Sequence, residues 1–312
     1  MKLVLFDDHR PGRIVEGGIV DLSSAVGSDI MGLEGRRRMN ALIEGFEALR
    51  PALEAVSGPV LPLESVRLRA PSPQPRKMMF AQGNYFENTV SPVLPLAMFL
   101  KAPSSILDPG GVVELSDDDA IVFHHEAELG VVIGKAGRDI AVADALTHVF
   151  GFCCLIDVSA RGVGRGLDFA DKSPDTFCPL GPWIATRDEI ANPQRLGVRL
   201  SVNGEPRQDY STDDMEHPVA ELVAWASSVS RLEPGDVIAC GTNHAGLGTL
   251  QDGDEVAMTI DGLGTLRVSV HDRLDRRWPA GIDEGMQAAV IRMRTEGVVP
   301  APGDMFQRRR IR

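Results

Sequence analysis

Two glutamates stand two positions apart in FHHEAELGVVIGK, a stretch that otherwise has the apolar composition of a buried strand. Side chains at positions i and i+2 of a strand point to the same face, so Glu126 and Glu128 are expected to project together, with their backbones about 6–7 Å apart. Neighbouring carboxylates repel each other unless a proton or a cation lies between them. A third acid, Asp157, ends the apolar run FGFCCLID, where a charge needs a partner. These residues alone leave two interpretations open: a half-hydrated site for a divalent metal ion such as Mg²⁺, or a Glu-x-Glu pair on the solvent face of an edge strand.

Two histidines could add a ligand or a base to such a site. His124 would lie on the same strand face as Glu126, although a single histidine at the end of a strand is often structural. His244 stands in the glycine-rich stretch GTNHAGLG, a loop from which it could reach a substrate or simply face solvent. The residue types do not rank the two histidines.

The first 70 residues have the pattern of a small α+β unit, with the short strand candidates KLVLF and GGIVDLS. From Met39 to Val56 the apolar residues recur at helical spacing, which predicts one amphipathic helix that ends at Gly58-Pro59. The stretch RAPSPQPRK (69–77) then places three prolines in nine positions, and proline disfavours helix both at its own position and at the preceding one. We therefore predict a domain boundary there, with a small N-terminal domain (1–70) and a catalytic domain (71–312).

From residue 78 onward, short β-rich runs follow one another, separated by turn signals such as VNGE, EPGD and QDGD. Two helical patterns interrupt them, near 142–149 and 218–230. The alternation is too irregular for a βαβ array, and the strands are too many for a helical bundle. The sequence therefore predicts a β-rich α+β fold built from mixed sheets.

The bulk composition argues against several classes of function. A net charge of −12 over 312 residues would repel the phosphates of a nucleic acid and an anionic membrane surface. No apolar run approaches the roughly 20 residues that span a bilayer. The four cysteines form no C-x-x-C pair, which favours buried free thiols in a reducing compartment. We expect a cytoplasmic protein that binds neither nucleic acid nor membrane.

Seven segments, in order over roughly residues 76 to 270, together resemble the fumarylacetoacetate hydrolase family. The resemblance implies a mixed β-roll catalytic domain beside the small N-terminal α+β domain, a homodimer, and a Mg²⁺ or Mn²⁺ ion that holds a 2-oxo acid. The segments are GNYFEN (83–88), FLKAPSSI (99–106), HHEAELGVVIGK (124–135), GFCCLIDVSARG (151–162), DKSPDTFCPLGPW (171–183), VNGEPRQ (202–208) and LEPGDVIACGTNHAGLG (232–248).

Site residues follow from the resemblance position by position. Glu126, Glu128 and Asp157 match the three metal-binding carboxylates of the family. Lys172 matches a lysine that lies against the substrate's oxyanion or carboxylate. The residues expected at the substrate are Gly83, Tyr85, Gln208, Gly241 and Thr242, of which the last two match a turn that receives the substrate carboxylate.

The sequence departs from the family at the pair that activates water. Members that cleave C–C bonds usually carry a histidine three positions after the tyrosine of NY and a glutamate three further on. Asn88 and Ser91 stand there in this chain, and neither side chain can act as a base. The substitute bases that remain are Glu87, His124 and His244.

The expected activity is metal-dependent hydrolysis of a C–C bond in a β-diketo acid of the acylpyruvate or fumarylpyruvate type, through a metal-bound enolate. The missing histidine keeps open an isomerase, decarboxylase or hydratase of a 2-oxo or 2-hydroxy-dienoate acid in aromatic-compound catabolism. An alternative of another class is a protein that binds metal and 2-oxo acid without turnover. The glycines of RGVGRGL (161–167) predict a mobile lid, and Arg161, Arg165 and Arg207 are candidates for a second substrate carboxylate.

Overall fold

The computed structural model describes residues 1–163 and 169–297, in which strands dominate and the predicted α+β class is confirmed. A 12-stranded mixed sheet runs through the molecule. Its strands are β1 (Lys2–Phe6), β2 (Arg10–Val15), β3 (Gly18–Asp21), β4 (Val60–Leu61), β5 (Leu68–Arg69), β6 (Met78–Ala81), β7 (Met98–Lys101), β8 (Ile106–Leu107), β11 (Ala127–Ile133), β12 (Val149–Ile156), β14 (Cys178–Thr186) and β17 (Val237–Ala239). Their order is β4-β3-β2-β1-β14-β12-β11-β17-β6-β7, with β5 beside β1 and β8 beside β14.

Two smaller sheets lie against this one. Their strands are β9 (Val112–Glu114), β10 (Val122–His124), β13 (Ser159–Arg161), β15 (Gly197–Val202), β16 (Glu205–Ser211), β18 (Glu255–Ile260) and β19 (Gly264–His271). The first is a five-stranded sheet of order β16-β15-β18-β19-β9, and the second pairs β10 with β13.

The α-helices of the described residues are short, and none has the length and apolar character needed to cross a membrane. They are α1 (Ser23–Met31), α2 (Arg38–Glu44), α3 (Phe46–Ala55), α4 (Phe169–Lys172), α5 (Val219–Val229) and α6 (Glu284–Glu296). A 3₁₀ helix covers Val142–His148, where the sequence has its first helical pattern after residue 78.

The single helix expected from Met39 to Val56 is in fact two, because the chain breaks at Gly45. The main-chain N–H of Gly45 closes α2 on the carbonyl of Ala41, and α3 begins at the next residue. Glycine costs about 1 kcal/mol relative to alanine inside a helix, so a break there is inexpensive. The apolar spacing continues across it, since both helices pack on the same side of the large sheet.

Strand β11 is buried on both faces, which explains its nearly continuous apolar sequence. Leu129 and Val131 belong to the main core shared with the five-stranded sheet, whereas Val132 faces the second core beneath the N-terminal helices. A charged side chain at the end of this strand therefore lies in a desolvated environment.

Strand pairing brings four chain segments to one edge of the large sheet. β11 is antiparallel to both β12 and β17, and β17 is parallel to β6. The start of β11 and the ends of β12, β17 and β6 consequently lie side by side. Residues next to these four ends must be neighbours in space, however far apart they are in sequence.

Candidate active site

The three acids singled out in the sequence meet at this edge. Glu126 directly precedes β11, Glu128 is its second residue, and Asp157 directly follows β12. The main-chain N–H of Asp157 donates to the carbonyl of Glu126 at 2.8 Å, which fixes the register between the two segments. One carboxylate oxygen from each residue lies within 4.8 Å of the others, and all three side chains are buried.

The electrostatics of this cluster suit a cation. Burial opposes ionisation of Glu126, but Arg161 and Lys172 more than offset it and hold the pKa of that carboxyl well below its usual value. Burial and the neighbouring charge of Asp157 instead raise the pKa of the Glu128 carboxyl well above its usual value. Three buried carboxylates offer oxygen ligands to a hard divalent ion, which would relieve the repulsion at Glu128.

Two buried lysines stand beside the carboxylates. Lys172, at the end of α4, donates to Glu126 at 2.8 Å, to Asp157 at 2.7 Å and to Ser159 at 2.6 Å, which uses all three donors of an ammonium group. Burial lowers its pKa, but Asp157 and Glu126 outweigh burial and raise the pKa of Lys172 above its usual value. The sequence interpretation assigned no role to Lys101, which donates to the other oxygen of Asp157 from the end of β7. A lysine that ends the apolar run MFLK was the signal that could have indicated it.

Glu87 and His244, two of the three substitute bases, form a pair. Oε1 of Glu87 lies 2.6 Å from Nδ1 of His244, and Oε2 accepts the main-chain N–H of His244 at 2.9 Å. A carboxylate can only accept, so the proton of the imidazole lies on Nδ1 and Nε2 keeps a lone pair. Both side chains are buried, and His244 is near enough to Glu126 that a protonated imidazole would lower the pKa of that carboxyl.

The pair exists because β6 and β17 are parallel neighbours. Glu87 lies in the loop after β6, and His244 lies in the loop after β17. The backbone of Glu87 is left-handed, with φ of +58°, an uncommon conformation for a residue with a side chain and one found at functional sites. In the other loop Gly246 has φ of +81°, and a Cβ there would lie 1.9 Å from the carbonyl oxygen of Arg207. Both loops are thus held in defined shapes.

His124, the third candidate base, is fully buried with both ring nitrogens occupied. Nε2 lies 3.2 Å from Asp283 Oδ2, and Nδ1 accepts from Nε of Arg161 at 3.4 Å. Burial lowers the pKa of His124, which favours the neutral ring. The same Arg161 pairs with Glu126. The structure therefore favours His244 over His124 as a base.

Of the five expected substrate-binding residues, Gly241, Thr242 and Gln208 bond to Glu128 or to the main chain of Ala127 beside it. The side chain of Tyr85 is fully buried, and its hydroxyl lies beside that of Tyr210. The N–H of Gly241 donates to Glu128 at 2.7 Å. Thr242 donates its hydroxyl to the carbonyl of Ala127 at 2.9 Å. A Cβ at Gly83 would meet nothing within 4 Å, so the space above it is open.

The side-chain amide of Gln208 holds the turn of Gly241 and Thr242 in place by hydrogen bonds. Its Oε1 accepts from the N–H of Ala127 at 3.0 Å and lies 3.1 Å from Nδ1 of His125. Its Nε2 donates to Thr242 and to the carbonyl of Asn243, both at 2.8 Å. With these four contacts the amide is fully used, so it holds the turn rather than offering a free group to a substrate.

The predicted lid, RGVGRGL, lies largely outside the described residues, as does Arg165. The described part of that segment contains Arg161, whose guanidinium is already engaged by Glu126. The Nε of Arg207 is buried without a partner among the described residues, and its Nη1 donates to the carbonyl of Pro206.

Comparisons with known proteins identify relatives of this chain. The family model described as fumarylacetoacetate (FAA) hydrolase C-terminal matches residues 76–271. A maleylpyruvate hydrolase of Aquipseudomonas alcaligenes is 35% identical over 291 residues, which cover 86% of this chain and 99% of that protein. The oxaloacetate tautomerase YisK of Bacillus subtilis (strain 168) is 37% identical over 221 residues, covering 65% of this chain and 73% of the relative.

A solved structure supports the fold as well. The maleylpyruvate hydrolase from Sphingobium sp. SYK-6, in complex with a manganese(II) ion and pyruvate, has a TM-score of 0.80 and 36% identity, covering 87% of this chain and 99% of that one. The resemblance of the sequence and the predicted fold are both confirmed.

Proposed function

Because the chain belongs to the fumarylacetoacetate hydrolase family, we propose that it hydrolyses a C–C bond in an acylpyruvate-type β-diketo acid, with His244 as the general base. The observation that carries this proposal is the buried pair of His244 and Glu87 beside the carboxylate cluster. It supplies a base and its orienting acid, although Asn88 and Ser91 occupy the family's usual positions for them.

The proposed cofactor is Mg²⁺ or Mn²⁺, held by Glu126, Glu128 and Asp157. When bound, such an ion would polarise the keto group of a 2-oxo acid as a Lewis acid. The manganese(II) and pyruvate in the related Sphingobium structure support this assignment. Lys172 would add a fixed positive charge beside the substrate's oxygens.

The side chains of this chain then handle water and protons. Glu87 would hold the ring of His244 so that Nε2 takes a proton from a water molecule. The water oxygen adds to the distal carbonyl carbon, and the bond between that carbon and the neighbouring methylene carbon breaks. The electron pair of that bond passes to the pyruvate part as its enolate. The proton on Nε2 returns to the methylene carbon, which gives pyruvate and a free carboxylic acid.

A second candidate is proton transfer without hydrolysis, as in a tautomerase. The replacement of the usual water-activating residues by Asn88 and Ser91 favours it, and so does the similarity to an oxaloacetate tautomerase. The pair of His244 and Glu87 could exchange a proton with substrate carbon without any attack by water.

The deciding experiment is a turnover assay with Mn²⁺ or Mg²⁺ against acylpyruvates, among them maleylpyruvate, and against oxaloacetate. Absorbance follows loss of the enol, and chromatography identifies the products. Pyruvate plus a free acid, abolished by a chelator, would support the hydrolase. Enol loss without pyruvate would favour the tautomerase. A protein that binds the metal but turns over no substrate would contradict both and favour a binding protein.

Restoring the family's histidine should not increase hydrolysis. Asn88 is exposed, and its main-chain N–H faces the carboxylate of Asp214 at 3.3 Å. Since His244 already serves as base, we expect kcat of Asn88→His to stay within about threefold of the wild type. Asn88→Gln is the control for a larger side chain at this position. A tenfold rise in kcat for the histidine variant alone would contradict the assignment of His244.

A further inference from the structure

Helix α6 lies against both loops that carry the proposed pair. We call residues 83–94 the Glu87 loop and residues 241–249 the His244 loop. Met286 and Val290 of α6 form a small apolar cluster with Leu247 of the His244 loop. Directly before the helix, the N–H of Asp283 donates to the carbonyl of Leu247 at 2.7 Å. The family match ends at residue 271, so α6 is not part of the matched domain.

Arg294, on the last turn of α6, holds the other loop. Its Nη1 donates to the carbonyl of Gly83 at 3.2 Å, and its Nε donates to the hydroxyl of Ser91 at 3.2 Å. Its guanidinium carbon lies 5.4 Å from the ring centroid of Phe86. The three contacts fall on both sides of Glu87, so one side chain fixes the loop before and after the acid.

The guanidinium is buried with a countercharge. Nη1 of Arg294 lies 3.0 Å from Oε2 of Glu216, and the two side chains are 0% and 1% exposed. The N–H of Glu216 in turn donates to the carbonyl of Asn84 in the Glu87 loop. A buried ion pair contributes little net stability, because desolvation offsets the attraction, but it does impose one arrangement on its neighbours. This makes the pair suited to fixing a loop.

From these contacts we propose that Arg294 is a positioning residue, which acts on catalysis by holding Glu87 and His244 in register. This rests on the proposed role of His244 as base. The guanidinium fork holds the Glu87 loop, while the helix that carries it packs on the His244 loop. Arg294 adds to the bonds that already join the two loops, those from His244 to Glu87 and from Asn88 and Asn243 to Asp214. A displacement of about 1 Å between the two catalytic groups can lower a rate about 100-fold.

The test is a cycle of variants in the holoenzyme with Mn²⁺. Arg294→Lys keeps the charge opposite Glu216 but cannot reach Gly83 and Ser91 together. Arg292→Lys is the matched control, because Arg292 lies on the same helix and is exposed. We expect Arg294→Lys to lower kcat about 10- to 100-fold with KM nearly unchanged, and Arg292→Lys to leave both unchanged. In a His244→Gln background, Arg294→Lys should lower the residual kcat less than about twofold.

Equal losses of kcat in the two backgrounds, or no loss in the wild type, would overturn the proposal, since a purely structural role would act in both. Hydrogen–deuterium exchange gives a readout that does not depend on activity. Arg294→Lys should accelerate exchange in both the Glu87 loop and the His244 loop, and not in β11 or β12. Unchanged exchange in the loops would overturn the proposal even if the wild type hydrolyses no acylpyruvate, whereas the absence of turnover alone would contradict only the proposed function.

Discussion

Replacing His244 with glutamine is expected to lower kcat for acylpyruvate hydrolysis by about 10²- to 10⁴-fold, the usual contribution of a positioned general base. The physical reason is the geometry of the pair: Nδ1 lies 2.6 Å from Oε1 of Glu87, which leaves the lone pair of Nε2 to accept a proton, and the ring is near enough to Glu126 to affect the pKa of that carboxyl. Glutamine has a similar volume and keeps the main-chain N–H that Oε2 of Glu87 accepts. The loop should therefore fold unchanged, with Mn²⁺ still bound. Steady-state kinetics measures the change in kcat, and a titration with Mn²⁺ measures whether the variant still binds the metal.

Glu87→Gln is the companion variant. An amide can still contact the ring but cannot stabilise an imidazolium, so its kcat should lie between those of the wild type and His244→Gln. The double variant should be no slower than His244→Gln alone, because the two residues act as one unit. A His244→Gln enzyme with wild-type kcat would show that another group activates water, and His124 would then be the next candidate.

Local rules predict part of the carboxylate cluster, and the resemblance to the family supplied the rest. The spacing of Glu126 and Glu128 places both side chains on one face, and Asp157 ends an apolar run that pairs with theirs. The pairing of Glu87 with His244 could not be predicted, because the two residues are 157 positions apart. Their contact depends on the parallel neighbours β6 and β17, and no local pattern indicates which strands become neighbours.

Two helical regions also show what local sequence patterns cannot predict. The apolar spacing that predicts one helix from Met39 to Val56 reports the buried face correctly, but it cannot show that the backbone turns at Gly45. Helix α6 was not predicted, because it buries its few large apolar side chains, Met286 and Val290, against Leu247 rather than in the main core. With so few large apolar side chains, α6 shows little apolar periodicity that a sequence pattern could reveal.

Glu128→Gln should separate metal binding from stability. Burial and the charges of Asp157 and Glu126 raise the pKa of the Glu128 carboxyl, so its ionised form destabilises the folded protein in the absence of metal. Glutamine is neutral, has the same shape and can still accept from the N–H of Gly241. We therefore expect the metal-free variant to have a melting temperature equal to or above that of the wild type.

With metal present the order should reverse. At a Mn²⁺ concentration 100 times Kd, binding stabilises a protein by about 2.7 kcal/mol, which raises the Tm of a chain of this size by several degrees. Glu128→Gln should lose most of that rise together with the activity, because one of three charged ligands is gone. Asp157→Asn is the contrasting variant: it also loses the metal, but it weakens the contacts of Lys101 and Lys172 with a buried carboxylate and should cost about 3–5 kcal/mol without metal. Calorimetry of both variants with and without Mn²⁺ measures these changes in stability. If Glu128→Gln kept the full metal-induced rise in melting temperature, Glu128 would not be a ligand, and the raised pKa of its carboxyl would reflect burial and its acidic neighbours alone.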